Sequence, residues 1–224
     1  FTKYRLHATQ LTQNAINAGY ERIIAVGGDG TLNEVLNGFF DHSHMINAEV
    51  ELGFIMRGTG GDFRKTFAIE DDVEAAAKVI ARGNVKHADI GFLQCTDIEG
   101  YAQSRYFINI ASIGIGGYVA YEVNHWNKLR WLPGKLIFLY VVLKQFIKSK
   151  SIPLTVKIDD NTKLELDSRE LIVANGQYMG GGLHVAPVAD VFDGKLDLIY
   201  QDGTKKHELF GILPKAYSGT MLND

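Results

Sequence analysis

The first third of the chain alternates between helical and strand-like hydrophobic patterns. From about Thr9 to Ala18, apolar Leu11, Ala15, Ile16 and Ala18 recur at helical spacing, with Leu6 and Ala8 ahead of them and Gly19 as a C-terminal stop. Tyr20 to Val26 follows as a strand, and its uniformly apolar end from Ile23 suits a parallel sheet covered on both faces. Thr31-Leu-Asn-Glu34 has capping-box spacing and predicts a helix from Thr31 toward Asn37. Val50 to Met56 reads as the next strand, and Asp71, Asp72 and Glu74 place acids in the first turn of a helix reaching Ala81. Helix, strand, helix, strand, helix is an α/β unit, expected to be right-handed and doubly wound, with one more strand ahead of the first helix.

Past Arg82-Gly-Asn84 the pattern turns to strands. His87 to Gln94, Arg105 to Ser112, Ile152 to Ile158, Lys163 to Leu166, Glu170 to Asn175 and Lys195 to Tyr200 all fit, and the turn at Asp159 to Thr162 predicts a hairpin. One helix interrupts them, about Gly134 to Lys148. Two domains are predicted: an α/β nucleotide-binding domain with a parallel sheet over 1–84 and a β-rich sandwich domain over 85–224. The helix is apolar at 136, 139, 140, 143 and 147 and carries lysines at 135, 144 and 148, with Lys150 just beyond. Such a helix can lie on an anionic membrane. Packing of its stripe on the β-rich domain is the preferred reading.

Composition narrows this picture little. A hydrophobic content of 46% and a charged content of 22% are ordinary for a globular protein, and a net charge of −3 gives no electrostatic case for nucleic acid. A single cysteine, Cys95, excludes an intrachain disulfide framework and suits a reducing, cytoplasmic compartment. The longest apolar run, Leu136 to Leu143, is far short of the ~20 residues of a spanning helix. The seven histidines show no metal-ligand spacing, and His42 and His44 fall in a polar loop. The chain opens on Phe1 without a signal peptide or an initiator methionine, and is read as an interior piece of a longer protein.

The chemistry is expected at Gly27-Gly-Asp-Gly-Thr31, between the first strand and its helix. Glycines at 27, 28 and 30 allow positive φ and close approach, and a helix N-terminus offers free N–H groups to phosphate. Three glycines and an acid exceed what a steric turn requires. Asp29 beside a phosphate would be repulsive without a divalent cation or a transferable proton, which points to Mg²⁺-nucleotide chemistry. The spacing is neither a Walker A loop nor Gly-x-Gly-x-x-Gly. Arg57-Gly-Thr-Gly-Gly-Asp-Phe63 is a second glycine turn after a strand, and ligands of such sheets sit beyond strand C-terminal ends.

The stretch 23 to 38 resembles the nucleotide-binding signature of the diacylglycerol kinase catalytic-domain family, which includes bacterial soluble lipid kinases and the sphingosine and ceramide kinases. Its Gly-Gly-Asp-Gly core is shared with NAD kinases and, in variant form, phosphofructokinases. Gly58-Thr-Gly-Gly-Asp-Phe63 resembles the lipid kinases' Gly-Thr-x-Asn-Asp-Phe, with Gly61 where asparagine is usual. The stretches 174–187 and 189–198 are similar to the family's long signature in its β-rich half.

The resemblance implies a fold like that of NAD kinase and phosphofructokinase, ATP and Mg²⁺ as cofactors, and a lipid substrate at a membrane surface. It allows a homodimer and peripheral membrane association. It implies that Gly27, Gly28, Asp29, Gly30 and Thr31 cradle phosphates, that Asn33 adds a donor, and that Asp29 acts at the transferring phosphate. Thr59 matches a nucleotide-contacting threonine; Thr2 falls near another, although an exposed residue near a chain end fits it almost as well. Asp193 resembles a structural Mg²⁺ ligand, with Asp190 and Lys195 contributing carbonyls; an Asp-Gly turn between strands is the alternative. The family's general base and an upstream Asn-Pro loop have no match here, so no base is assigned and this piece by itself is expected to be inactive. The reading is an ATP-dependent lipid kinase acting on diacylglycerol or a related lipid. The alternatives are an NAD kinase-like enzyme and a catalytically dead nucleotide- or lipid-binding module.

Overall fold

A computed structural model of the chain describes residues 1–58, 60–97, 99–125, 134–160, 162–203 and 209–220. The α/β half contains α1 (His7–Asn17), β1 (Arg22–Gly27), α2 (Asp29–Asn37), a hairpin of β2 (Phe40–Asp41) and β3 (His44–Met45), β4 (Glu51–Met56), α3 (Asp62–Thr66) and α4 (Val73–Ala81). Strands β1 and β4 pair in parallel from Arg22 opposite Glu51 to Gly27 opposite Met56, so both glycine turns leave the same end of the sheet. Ala25, Leu32, Val35, Leu36 and Phe39 bury one face together with Ala8 and Ile16 of α1. On the other face, Ile24 and Ile80 of α4 close over Gly53, where an added Cβ would lie 3.4 and 3.5 Å from them. Helix α4 covers only part of that face: Ile24 and Val26 of β1 remain exposed, so the strand is not buried on both faces as its apolar run suggests.

Helix α2 corrects the expected start. It opens at Asp29 with Gly28 as its N-cap, and no side chain caps it. The capping box at Thr31 does not form, because Glu34 has a tertiary partner: its Oε2 accepts from Ala8 N at 3.3 Å at the start of α1. Asp72 does cap α4, accepting from Ala75 N at 2.7 Å. His42 and His44 are exposed in the β2–β3 hairpin.

The other half contains β5 (Gly91–Thr96), β6 (Ala102–Phe107), β7 (Ile110–Gly114), α5 (Ile115–His125), α6 (Gly134–Lys148), β8 (Ile152–Ile158), β9 (Thr162–Ser168), β10 (Glu170–Ala174), β11 (Tyr178–Met179), β12 (Leu183–His184), β13 (Asp197–Tyr200) and α7 (Leu209–Ser218). A three-stranded antiparallel sheet in the order β13-β10-β7 is joined by the hairpins β5–β6, β8–β9 and β11–β12. The hairpin at Asp159 forms as expected. Residues 87–90 lie outside any strand, and the stretch 105–112 is two strands broken at Ile108 and Asn109. Asn109 stands at that break because its carbonyl accepts from both Asn175 N and Gly176 N.

Helices α5 and α7 were not anticipated. Helix α6 falls where expected and packs within the β-rich half, mainly on α5, but through other residues than the expected stripe. Val141 and Val142 join Ile115 and Val119 in a small core of their own, and Glu122 takes Lys144 Nζ and Gln145 Nε2. Leu139, Tyr140 and Ile147 of the expected inward stripe are exposed instead. The run Leu136 to Leu143 is apolar on every face, so the sequence there gives no face a clear advantage.

Candidate active site

The two glycine turns touch. A Cβ on Gly58 would fall 2.8 Å from Gly28 Cα, and Arg57 N donates to Gly27 O at 2.7 Å. At Gly27 a Cβ would meet the Thr31 side chain at 2.6 to 2.9 Å. Positive φ is not the reason for glycine at 27, 28 or 30, contrary to expectation, since none of them adopts it. Close approach is. Gly30 differs from its neighbours: nothing lies within 4 Å of a Cβ placed there, and the residue is exposed.

The first hydrogen bond into α2 is Leu32 N to Gly28 O, 3.1 Å, so the N–H groups of Asp29, Gly30 and Thr31 stand at the open, positive end of the helix. That arrangement suits an anion beside Gly30. Asn33 is half-buried one turn in, and its carbonyl accepts from Asn37 Nδ2. Thr59 lies outside the described residues. Thr2 is exposed in the segment before α1.

Asp29 has a structural task that the sequence did not reveal. Its Oδ1 accepts from Phe63 N at 3.0 Å and its Oδ2 from Asp62 N at 3.2 Å, so the acid of the first turn holds the start of α3 in the second. Gly61, just before α3, is left-handed at φ 54°. Glycine and asparagine are the residues that accept that conformation most readily, so the departure from the usual asparagine leaves the backbone path intact.

Asp62 carries the contact into the β-rich half. It is 5% exposed; its Oδ2 accepts from Gly181 N at 2.7 Å and its Oδ1 from Lys65 Nζ at 2.7 Å. Thr66 Oγ1 accepts from Gln177 N, and Asn37 exchanges two hydrogen bonds with the Tyr106 backbone. Gly180, Gly181 and Gly182 all have positive φ and bend this loop toward α3. Phe138 of α6 lies over Gly180. No sequence pattern assigns a role to Asp62, Lys65, Thr66 or Asn37. Their partners are too distant in the chain to leave a local signal.

Burial shifts Glu170 and His184 of this half, each in its own direction. Glu170 is largely buried at the start of β10, and burial raises its pKa to about 7 although Gly116 N, Ser112 and Ile115 donate to it. His184, stacked on Tyr178 at 4.2 Å, is lowered by burial.

The loop holding Asp190, Asp193 and Lys195 closes on itself. Asp190 Oδ1 accepts from Phe192 N and Asp193 Oδ1 from Lys195 N, while Asp89 Oδ2 reaches in to Gly194 N at 2.7 Å. The available donors are all oxygen, which fits a hard cation. Among the described residues, however, no three acidic, histidine or cysteine side chains converge anywhere. A cation at this loop would have to draw on carbonyls and water as well as carboxylates.

Comparison with known proteins supports the fold. Residues 1–93 match the diacylglycerol kinase catalytic domain, and residues 109–224 match the YegS C-terminal NAD kinase beta sandwich-like domain. The chain belongs to the diacylglycerol kinase catalytic-domain family. It is 29% identical over 212 residues to a diacylglycerol kinase of Staphylococcus epidermidis and 30% identical to one of Staphylococcus aureus, covering 95% of this chain and 62% of each relative. A protein of Bacillus anthracis described as a candidate diacylglycerol kinase superposes with a TM-score of 0.69 at 26% identity, over 96% of this chain and 66% of that one. The chain thus spans somewhat under two thirds of the length of the curated relatives it matches.

Proposed function

We propose that this chain is the core of an ATP-dependent lipid kinase that transfers the γ-phosphoryl group to a hydroxyl of diacylglycerol or a related lipid. The observation that carries the reading is the joint itself. Two glycine turns at the C-terminal end of a parallel sheet touch at Gly28 and Gly58, and Asp62 ties them to a glycine loop of the other domain. Phosphoryl transfer depends mostly on positioning and charge neutralisation, and a site built from fixed backbone and few side chains suits that need.

In this reading the N–H groups at Asp29, Gly30 and Thr31 receive the nucleotide phosphates, with Gly30 leaving room for them. Asn33 adds a donor, and Asp29 orders the second turn while presenting its remaining lone pairs to the phosphate side. Mg²⁺, when bound, would neutralise charge on the phosphates. The Asp190–Lys195 loop, with Asp193 and Asp190, is the proposed place for a second, structural Mg²⁺. The two domains are proposed to divide near residue 84. Among the described residues no helix is long and apolar enough to cross a membrane. The lipid is proposed to be taken from a membrane surface by a peripherally bound protein.

The test is to incubate full-length protein with radiolabelled ATP, Mg²⁺ and a panel of diacylglycerol, ceramide, sphingosine and NAD. Label in a phospholipid is the expected outcome. Label in NAD alone would replace this reading with an NAD kinase-like one, and no label anywhere would leave a binding module.

A further inference from the structure

Helix α3 carries two adjacent cations with different partners. Arg64 faces away from the joint, with one terminal nitrogen 2.9 Å from Ile69 O and the other 2.9 Å from Asp71 Oδ2. Lys65 stays at the joint. Its Nζ is 2.7 Å from Asp62 Oδ1, and a Cβ added to Gly182 would come within 3.3 Å of it. The two side chains are 25% and 7% exposed, so the ammonium is partly withdrawn from water yet reachable. A Cβ added to Gly60 would sit 3.1 Å from Asp29 Oδ2 and 3.4 Å from Asp62 Oδ2. One small volume therefore holds two carboxylates and one ammonium, bounded by glycine backbone from both domains.

We infer that Lys65 is the side chain that contacts the distal phosphate of the nucleotide, with Asp62 as its positioning partner. The inference rests on the kinase reading above. An ammonium has three donors on a flexible stem, and Asp62 accepts one of them, leaving donors for a phosphate oxygen. Partial desolvation strengthens that contact relative to the same pair in water. Asp62, itself held by Gly181 N, fixes the ammonium where the two domains meet. Lys65 makes and breaks no bond in this role. It supplies charge where charge accumulates. The simpler alternative is that Lys65 only neutralises the buried Asp62, and the two roles predict different nucleotide preferences.

The experiment compares full-length wild type, Lys65→Met, Lys65→Arg and the double variant Asp62→Asn/Lys65→Met. Affinities for Mg²⁺-AMP-PNP and Mg²⁺-ADP are measured by calorimetry, together with lipid kinase kcat and thermal melting. Lys65→Met should weaken AMP-PNP about tenfold while leaving ADP unchanged, a difference of one distal contact. Its kcat should fall about a hundredfold, with part of that loss recovered in Lys65→Arg. The double variant removes both charges, so it should melt like wild type and still have lost the AMP-PNP preference. Recovery of that preference in the double variant, or equal changes for both nucleotides in Lys65→Met, overturns the assignment. A wild type that binds neither nucleotide overturns the kinase reading itself, whereas a wild type that prefers AMP-PNP beside an unchanged Lys65→Met overturns only the role of Lys65.

Discussion

Both halves of the molecule bring glycine to the site, for opposite physical reasons. In the α/β half, Gly27 and Gly58 do not adopt positive φ and are glycine because another group occupies the Cβ position, the Thr31 side chain at Gly27 and the Gly28 backbone at Gly58. In the β-rich half, Gly181 has open space around its Cβ position and is glycine because its φ is +84°. At Gly58 backbone packs against backbone; at Gly181, as at Gly61 of the first half, backbone bends where L side chains resist bending. Each half also places an acid from elsewhere in the chain at a helix start: Asp29 accepts from Asp62 N and Phe63 N at α3, and Glu170 accepts from Gly116 N at α5. A glycine motif therefore does not reveal by itself which substitution it forbids.

The comparison breaks first at Gly58 if it is wrong. Gly58→Ala forces a methyl to within 2.8 Å of Gly28 Cα, a backbone atom with no rotamer to yield. Overpacking of that kind should cost about 3 kcal/mol and splay the two turns, so nucleotide affinity should fall along with the urea midpoint. A variant that melts within a degree or two of wild type would show that the turns separate at no cost.

The two helix-start acids can be contrasted through pH. Burial raises Glu170 from an ordinary 4.5 to about 7. The folded state then binds this proton more tightly than the unfolded chain, so the contribution of this group to stability is fully present below pH 4.5 and is lost as pH rises through 7. The decline from this one group should be on the order of 3 kcal/mol and should level off about a unit above pH 7. Glu170→Gln keeps an acceptor for Gly116 N and removes the charge. Its melting temperature should exceed that of wild type at pH 8 and converge with it at pH 4.5. Parallel melting curves across that range would mean that Glu170 is solvated in the native state.

The order of elements in the α/β half was legible because its periods are strong and its strand ends are marked by glycine. Details failed where a residue's partner lies far along the chain. The spacing of Thr31 and Glu34 is that of a capping box, but the carboxylate goes to α1 instead. Asp62 sits in a recognisable motif, yet its role depends on Gly181, 119 positions later. Helix α5 begins Ile-Gly-Gly-Tyr-Val, poor helix formers that only packing against α6 can hold, and α7 contains Pro214. The site's glycines could be read as a site, but not sorted into crowded and bent ones.

Gly181→Ala tests that sorting on the bent side. Nothing within 4 Å would meet its methyl, so the cost should be the left-handed backbone alone, about 1–2 kcal/mol. The N–H to Asp62 is retained, and nucleotide affinity should follow stability rather than fall beyond it. A loss as large as that of Gly58→Ala would place Gly181 in the crowded class.

Gly30 belongs to neither class, and that makes it the finest probe of the site. Its φ is not positive, nothing in the protein lies near its Cβ position, and it stands in the first turn of a helix, where alanine is the better residue. For the fold alone, Gly30→Ala should be neutral or stabilising by about 0.5 kcal/mol. A methyl there would nevertheless stand beside the open N–H groups of α2, in space that a phosphate needs. The expected result is an unchanged or slightly raised melting temperature with weakened binding of ATP and ADP alike, since the cradle precedes any contact with the distal phosphate. Undiminished nucleotide affinity in a well-folded Gly30→Ala variant would move the phosphates away from this turn, and Asp29 would then be left with bracing α3 as its whole task.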